Sequence, residues 1–479
     1  MERRRRLKRA PWLWPALACG AWLFGASAAE RPPEAALALA PCAVPGGTEV
    51  VRCGHLEVPE NWRRPGGRKI ALNVVVLPMT GPGPEQAPVI WLEGGPGVPG
   101  TVSAALYTTE LRFHRDRRAV VLFDQRGTGA SNPLHCPRTE GRSPLADMWR
   151  PADVEACRRT LEARADLSQY STQAAASDLD ALRRALGRPK IDLMGLSYGT
   201  MLAQAYIKLY PTRVRAAALM GTVPLGEKIP LHHAANGDRA LREVFDDCRA
   251  DPACSSAYPH LAADWERLAR RLAAAPVVVS TDAGPQTIRS GPFGEAVRSR
   301  LNSVFGQRGL PLLISRAAAG DFGPFLKSVQ SQGPEPEADG LYLSVTCPEA
   351  TRRIRAGDID RATAGTAFGR YRIDQQIAAC RLWTPSRADP ALLTPVRAVA
   401  PVLLMSGGRD ATTPTAWARA VAAGLPRSRV VIIPAMTHLP VGLANMACLD
   451  RIMDAFFAKG SAEGLDVSCI ETMTPPPFG

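Results

Sequence analysis

The sequence predicts an α/β protein, a mostly parallel doubly wound sheet interrupted by a mainly helical insertion. Short continuous apolar runs, each ending in a Gly-rich or polar loop, recur at residues 88–92, 119–123, 191–194, 216–220, 402–405 and 430–433. Unbroken apolar runs suit strands covered on both faces, whereas a half-exposed strand alternates. Helical periodicity fills gaps between them: residues 174–186 carry apolar side chains at helical spacing, and Gly187 follows as a stop. Strands alternating with helices give a doubly wound sheet. Ahead of these runs, residues 49–78 alternate apolar and polar around Pro65-Gly66-Gly67, the pattern of an antiparallel hairpin whose second strand is 70–77.

Between Thr222 and Ala398 the rhythm changes. The segment is rich in Ala, Arg and Leu, with helical patterns at 262–272 and 298–305 and few strand-like runs. It reads as a helical lid inserted into the sheet, which resumes at Pro401. The expected divisions are a signal peptide at 1–28, a first core segment at 29–225, a lid at 226–397 and a second core segment at 398–479.

The N-terminus reads as an export signal. Arg3, Arg4, Arg5, Arg6, Lys8 and Arg9 precede a mostly apolar stretch at 12–26, and Ala26-Ser27-Ala28 is a small-x-small cleavage site. The apolar stretch is short for a membrane span of about 20 residues, so no stable membrane insertion is expected after cleavage. Cleavage before Cys19 is a rival, disfavoured because Ala16 stands where a larger aliphatic residue is usual. The mature chain is expected in the periplasm or outside the cell. Losing residues 1–28 lowers the formal charge from +13 to +8. The remaining arginines are scattered, without a basic stripe or interleaved aromatics, so nucleic acid is not an expected partner.

Of eleven cysteines, all but Cys19 remain after cleavage. An even number in an exported chain suggests disulfides. The sequence leaves connectivity open. Spacing favours nearest-neighbour closure: Cys42 with Cys53, Cys136 with Cys157, Cys248 with Cys254, Cys347 with Cys380, and Cys448 with Cys469. There is no CxxC and no histidine cluster, so no metal site is expected.

The residues that carry chemistry follow the predicted strands. Gly195-Leu196-Ser197-Tyr198-Gly199 lies between the strand at 191–194 and a helical pattern at 200–209. This is the strand–turn–helix setting that presents a nucleophilic serine above a sheet. Such a serine needs a base, and the base an orienting acid. Asp410 follows the strand at 402–405, and His438, one of seven histidines, follows the strand at 430–433. The chain order Ser, Asp, His is that expected of a nucleophile elbow. Two backbone donors for an oxyanion are expected from Tyr198 and from Gly95, within Glu93-Gly94-Gly95-Pro96-Gly97. Asp124-Gln125-Arg126-Gly127-Thr128-Gly129 follows the next strand and is expected to brace the loops.

Together, Gly-Gly-Pro-Gly at 94–97, Asp-Gln-Arg-Gly at 124–127, Gly-Leu-Ser-Tyr-Gly-Thr at 195–200 and the Asp410-x-x-Thr-Pro segment resemble the proline iminopeptidase and tripeptidyl aminopeptidase family of α/β-hydrolases. The likeness covers most of the mature chain and is weakest in the lid. The C-terminal part, with paired cysteines around His438, is similar to the secreted tripeptidyl-aminopeptidase-like branch. The resemblance implies the α/β-hydrolase fold, release of short units from peptide N-termini, short peptides as partners, and no cofactor or metal. It also implies lid carboxylates that hold the substrate amine. Glu349, after Cys347-Pro348, is the first candidate anchor and Glu93 the second. Glu93 is also a departure, since relatives usually have His before the glycines. An esterase or amidase acting on small substrates is the rival reading. A non-catalytic binding protein on the same scaffold is a third, disfavoured by the complete triad.

Overall fold

A computed structural model describes residues 37–136, 145–281, 284–330, 337–384 and 386–479. The expected export signal and its cleavage site lie outside the described residues. A nine-stranded sheet forms the centre. Its first strands are β1 (Leu39–Ala43), β2 (Val50–Pro59) and β3 (Lys69–Leu77), paired antiparallel in sequence order. β4 (Val89–Leu92) and β5 (Val120–Phe123) follow, with β3 running antiparallel to β5. From β5 inward every pairing is parallel: β5 on β4, then β6 (Ile191–Leu196) and β7 (Val214–Met220). A pairing such as Trp91 opposite Met194 aligns the C-terminal ends of β4 and β6, and so the loops that follow them.

Helices cover both faces. α1 (Pro151–Glu162), α2 (Thr172–Ala185) and α3 (Tyr198–Leu209) precede or follow β6. Ser171 starts α2 by accepting the Ala174 N–H, a side-chain cap on an otherwise unpaired donor. Alternate side chains of β6 enter different cores. Ile191 and Leu193 pack with Leu179, Leu202 and Tyr206, whereas Met194 packs with Phe456 and Phe457. This two-sided burial is why these strands read as unbroken apolar runs.

After β7 the chain leaves the sheet. It forms α4 (His233–Ala250), α5 (Pro252–Ala257), α6 (Leu261–Ala274) and a small antiparallel ribbon of β8 (Val277–Val279) and β9 (Gln286–Ile288). α7 (Ser290–Arg300), α8 (Val304–Ala318), α9 (Gly323–Gln330), α10 (Asp339–Glu349), α11 (Ala356–Thr363) and α12 (Tyr371–Leu382) complete the excursion. Much of it has its own apolar core, built on Trp265, Leu268, Phe293, Phe322 and Phe325. The helical pattern at 298–305 is divided between α7 and α8. Ser303 accepts the Gly306 N–H and starts a new helix, a local bond that competes with continuation of the old one. The chain then returns to the sheet as β10 (Val402–Gly407), pairs it with β7 and with β11 (Ser428–Ile433), and ends with α13 (Thr415–Ala422) and α14 (Ala447–Lys459) on either side of β11.

Disulfides join Cys42 to Cys53, Cys136 to Cys157, Cys248 to Cys254, Cys347 to Cys380 and Cys448 to Cys469. The fourth ties α10 to α12. Several disulfides in one chain indicate an oxidising compartment. No helix among the described residues is long and apolar enough to cross a membrane.

The Asp124–Gly129 loop braces the top of the sheet. Asp124 accepts from Asn73 Nδ2, Thr101 N, Thr101 Oγ1 and Ala130 N. Arg126 is fully buried and forks onto Asp178 of α2, with Nε and Nη2 each 2.6 Å from a carboxylate oxygen. It also donates to the carbonyls of Pro59, Glu60 and Gln169, so one guanidinium pins the hairpin and α2 to the loop beside the site. Removing one partner of a buried pair strands the other charge, at a cost of about 3–5 kcal/mol. Asp178→Ala is therefore expected to lower unfolding stability by that order in urea titration. A loss under about 1 kcal/mol would show that this brace contributes little.

Candidate active site

Ser197 occupies the turn between β6 and α3 with φ 53° and ψ −120°, a conformation that L-residues rarely adopt. The turn holds because its neighbours have no side chains. A Cβ on Gly199 would stand 1.9 Å from the Leu92 carbonyl oxygen, and one on Gly195 would stand 2.7 Å from that of Gly199. Ser197 is held further by its N–H to the Met220 carbonyl at 3.0 Å, and its carbonyl accepts from Thr200 N and Oγ1. Tyr198 opens α3, so its N–H belongs to the first turn, which has no carbonyl partner within the helix.

The loops after β10 and β11 bring Asp410 and His438 to this turn. His438 Nε2 lies 3.1 Å from Ser197 Oγ, and Nδ1 lies 3.0 Å from Asp410 Oδ2. With Nδ1–H donated to Asp410, Nε2 presents its lone pair to the serine hydroxyl. Asp410 is fully buried. Burial raises its pKa, but the charge and hydrogen bond of His438 together with bonds from Thr413 outweigh that and hold it below the usual value. Its Oδ1 accepts the N–H groups of Thr412 and Thr413, each at 2.7 Å. Thr413 Oγ1 donates to Oδ2 at 2.5 Å and lies 3.1 Å from His438 Nδ1. The Asp410 carbonyl accepts from Arg239 of α4. Thr413 is the Thr of the Asp410-x-x-Thr-Pro motif, to which the sequence assigns no role; its i+3 spacing from an Asp at a turn is the signal for side chain and backbone bonding back to the carboxylate.

The Gly-rich loop after β4 faces the same serine. A Cβ on Gly94 would be 3.2 Å from Ser197 Cβ. Gly95 has φ 103°, which aims its peptide as a residue with a side chain could not without strain. Glu93 supports this loop from beneath: its Oε2 accepts from Trp91 Nε1 at 2.8 Å and from Ser103 Oγ at 3.3 Å, and its Oε1 accepts from the Gly94 N–H. Gln125 Nε2 donates to the Glu93 carbonyl.

Glu349 is likewise engaged. Its Oε1 accepts the Thr172 N–H at 2.8 Å, and its Oε2 bonds Thr172 Oγ1 at 2.6 Å. Thr172 Oγ1 in turn lies 3.0 Å from the Tyr198 hydroxyl. This chain joins the end of α10 to the start of α2 and to the residue after Ser197. A third carboxylate also lies against the Gly-rich loop. Glu337 Oε1 is 3.0 Å from where a Gly95 Cβ would lie, and Glu337 Cγ is 2.7 Å from where a Gly97 Cβ would lie. In sequence Glu337 is one of several acids before α10, with nothing to mark it. Among the described residues no group of three or more His, Cys, Asp or Glu side chains is placed to hold a metal ion.

A serine held on a strained turn, an imidazole on its oxygen and a buried carboxylate on the imidazole form the constellation of a hydrolase on this sheet. The sequence profile of the α/β hydrolase fold matches residues 87–442, and the chain belongs to that family. A tripeptidyl aminopeptidase of Streptomyces coelicolor is 28% identical over 463 residues, spanning 89% of this chain and 84% of its own. Serine protease Hip1 of Mycobacterium tuberculosis is 25% identical over 474 residues, spanning 89% and 88%. A carboxylesterase B of Mycobacterium tuberculosis is 26% identical over 468 residues, spanning 87% and 86%.

Burial lifts the Glu349 carboxyl to about 7 from an ordinary 4.5, against the lowering effect of the two Thr172 bonds and of Arg353. The folded protein therefore binds this proton more tightly than the unfolded chain does. Its stabilising contribution is complete below the unfolded pKa and is lost as pH rises through about 7. Glu349→Gln is expected to shrink the fall in urea midpoint between about pH 5 and about pH 8. An unchanged fall in the variant would place the titration elsewhere.

Proposed function

We propose that this chain is an exported serine aminopeptidase, periplasmic or secreted, that releases short N-terminal units, proline-type or tripeptide, from peptides. The observation that carries the reading is the Ser197–His438–Asp410 arrangement. In this account Ser197 Oγ attacks the scissile carbonyl while His438 Nε2 takes its proton. Asp410 keeps the imidazole in the required tautomer and stabilises its charged form, and Thr413 holds the Asp410 oxygen that faces the ring. The tetrahedral oxyanion is bonded by the N–H groups of Gly95 and Tyr198, each such donor being worth about 2.7–4 kcal/mol in the transition state. His438 then protonates the leaving amine, and water, activated by the same imidazole, releases the acyl group from Ser197.

The peptidase part of the reading is supported by the relatives named for tripeptidyl aminopeptidase and serine protease activity. The free amine of the substrate needs an anion near the acyl side of Ser197. Glu349 and Glu93 are both bonded to protein donors. Glu349, at the end of α10, is the first candidate for the amine anchor and Glu93 the second; Glu337, whose side chain lies against the Gly-rich loop, is a third. The excursion from α4 to α12, leaving the sheet after β7 and rejoining it at β10, serves as the lid that limits substrates to short or terminal segments. A second reading, an esterase, is favoured by the likeness to carboxylesterase B, because one triad cleaves esters and amides alike.

The test is hydrolysis of chromogenic amides by the purified mature protein beside Ser197→Ala. The panel comprises free-amine Pro, free-amine tripeptides, their N-acetylated forms and a simple ester. The expected outcome is cleavage of free-amine substrates, a loss of at least about a thousandfold on N-acetylation or in Ser197→Ala, and a unit length read from the preferred substrate. Cleavage of the ester alone would move the protein to the second reading, and activity retained in Ser197→Ala would remove the nucleophile assignment.

A further inference from the structure

The loop that carries His438 continues into an exposed apolar patch. Leu439, Val441 and Phe305 are 40%, 51% and 63% exposed. The Val441 N–H donates to the Leu439 carbonyl at 2.9 Å, a three-residue turn through Pro440 that holds the two residues close together. Phe305, in the first turn of α8, lies against the same loop: a Cβ on Gly442 would stand 2.7 Å from its ring. No charged residue stands between Leu439 and Leu449 or between Leu301 and Gln307, so both contributing segments are uncharged. A single exposed Leu or Val requires no explanation, but large apolar side chains gathered at one place mark a surface that something apolar covers.

Hydrogen bonds fix this patch relative to the reacting atoms. The Leu439 N–H donates to the Asn302 carbonyl at 2.9 Å, and Asn302 Oδ1 accepts from Thr412 Oγ1 at 2.8 Å. Gln307 Nε2 donates to the carbonyls of Leu301 at 2.8 Å and Arg409 at 2.9 Å. The junction of α7 and α8 is thus bonded to the loops of both Asp410 and His438, and Phe305 is carried on that junction. What covers the patch follows from the chemistry of the base. An imidazole that takes the serine proton returns it to the leaving atom, which therefore sits within about 3 Å of His438 Nε2. The Cα of Leu439 is one peptide unit, about 3.8 Å, from that of His438, and each residue of an extended peptide spans about 3.3–3.6 Å. The first side chains past the scissile bond therefore come within a residue or two of Leu439. Ser197 is half-buried, so its turn reaches solvent, as the patch does.

We propose that Phe305, Leu439 and Val441 form an apolar subsite for the leaving portion of the substrate, so that the preferred peptides carry large apolar side chains in the first two residues past the scissile bond. This rests on the aminopeptidase reading and adds to it a specificity on the side of the bond that His438 protonates. The three residues act by contact with the leaving portion and take no part in the chemical step. Covering about half of a Leu side chain with apolar surface is worth about tenfold in binding. A polar side chain of the same size gains nothing there, since the patch offers it no hydrogen-bonding side chain.

The test measures kcat/KM for two free-amine series, Pro-Xaa-Xaa and Ala-Ala-Ala-Xaa-Xaa, with Xaa either Leu or the similarly sized Asn, and locates the cleaved bond by mass spectrometry. A reference pair of chromogenic anilides differs only on the acyl side, Pro against Ala. Each substrate is measured with wild type, Phe305→Ser and Val441→Ser. Wild type is expected to cleave before Leu-Leu at least about tenfold better than before Asn-Asn. That ratio is expected to fall to about threefold or less in both variants, while the Pro-to-Ala ratio of the anilides stays within about twofold. Because each ratio is internal to one protein, a variant of reduced stability still gives a reading. Equal cleavage before Leu and Asn in wild type, or a preference that survives in both variants, would overturn the subsite. So would a preference lost together with the acyl-side ratio, since the residues would then act through the shape of the whole site. Should no peptide be cleaved while a simple ester is, the aminopeptidase reading fails separately. The subsite is then decided by whether hexyl acetate is hydrolysed at least about tenfold better than ethyl acetate, because only the apolar length of the leaving alcohol differs between them.

Discussion

The site depends on a backbone conformation that the chain would not adopt if left alone. Ser197 at φ 53° sits where a side chain clashes with its own backbone, and it stays there because β6, α3 and β4 crowd around it. Gly199 rests against the Leu92 carbonyl, Gly195 against Gly199, and Gly94 against Ser197 itself. The same close approach that strains the turn brings the Gly-rich loop after β4 within reach of the serine. Nucleophile position and loop position are therefore one geometric fact, set by the parallel register of β4 on β6.

Around that turn, buried polar chains extend outward in layers. Glu93 ties its loop to Trp91 and Ser103, and Arg126 with Asp178 ties the next loop to α2 and the hairpin. Glu349, through Thr172 and the Tyr198 hydroxyl, ties α10 to the first residue of α3. The Cys347–Cys380 bridge extends this tie to α12. The helical excursion is thus coupled to the nucleophile turn by hydrogen bonds and a covalent link as well as by apolar packing. Buried networks of this kind fix one arrangement where apolar contact alone would permit several. In the proposed enzyme that rigidity holds the nucleophile turn in one geometry, which attack on a bound carbonyl requires.

Much of this was legible in the sequence because it is local. The parallel strands are buried on both faces, so their apolar runs stand out, and each ends where a functional loop begins. The Gly-x-Ser-x-Gly turn is marked by its two glycines, and the carboxylate and imidazole by their places after β10 and β11. β1, β8 and β9 were not legible, since strands this short and partly exposed carry little pattern. The division of 298–305 into α7 and α8 turned on a single serine cap. Thr413 stands in the Asp410-x-x-Thr-Pro motif, but its bonds to Asp410 and His438 are not legible there, because so close to Asp410 it reads as one more turn residue. Glu337 and the Arg298–Arg372–Glu295 cluster, in which both guanidinium groups donate to one carboxylate, were hidden for the opposite reason. They come from segments far apart in sequence, in a chain with many arginines, and only the packing of α7, α10 and α12 distinguishes them from surface charges. The carboxylates of Glu93 and Glu349 stand out in the sequence, but the partners that decide their roles do not: Glu349 bonds Thr172, far away in the chain, and Glu93 bonds Trp91, Gly94 and Ser103.

The central claim is that Ser197 is a nucleophile activated by His438 and Asp410. It is tested most directly by treating the mature protein with a fluorophosphonate and locating the adduct by mass spectrometry. The account predicts one adduct per chain, on the peptide that contains Ser197, formed slowly or not at all in His438→Ala. An adduct on another residue, or equal labelling of wild type and His438→Ala, would contradict it.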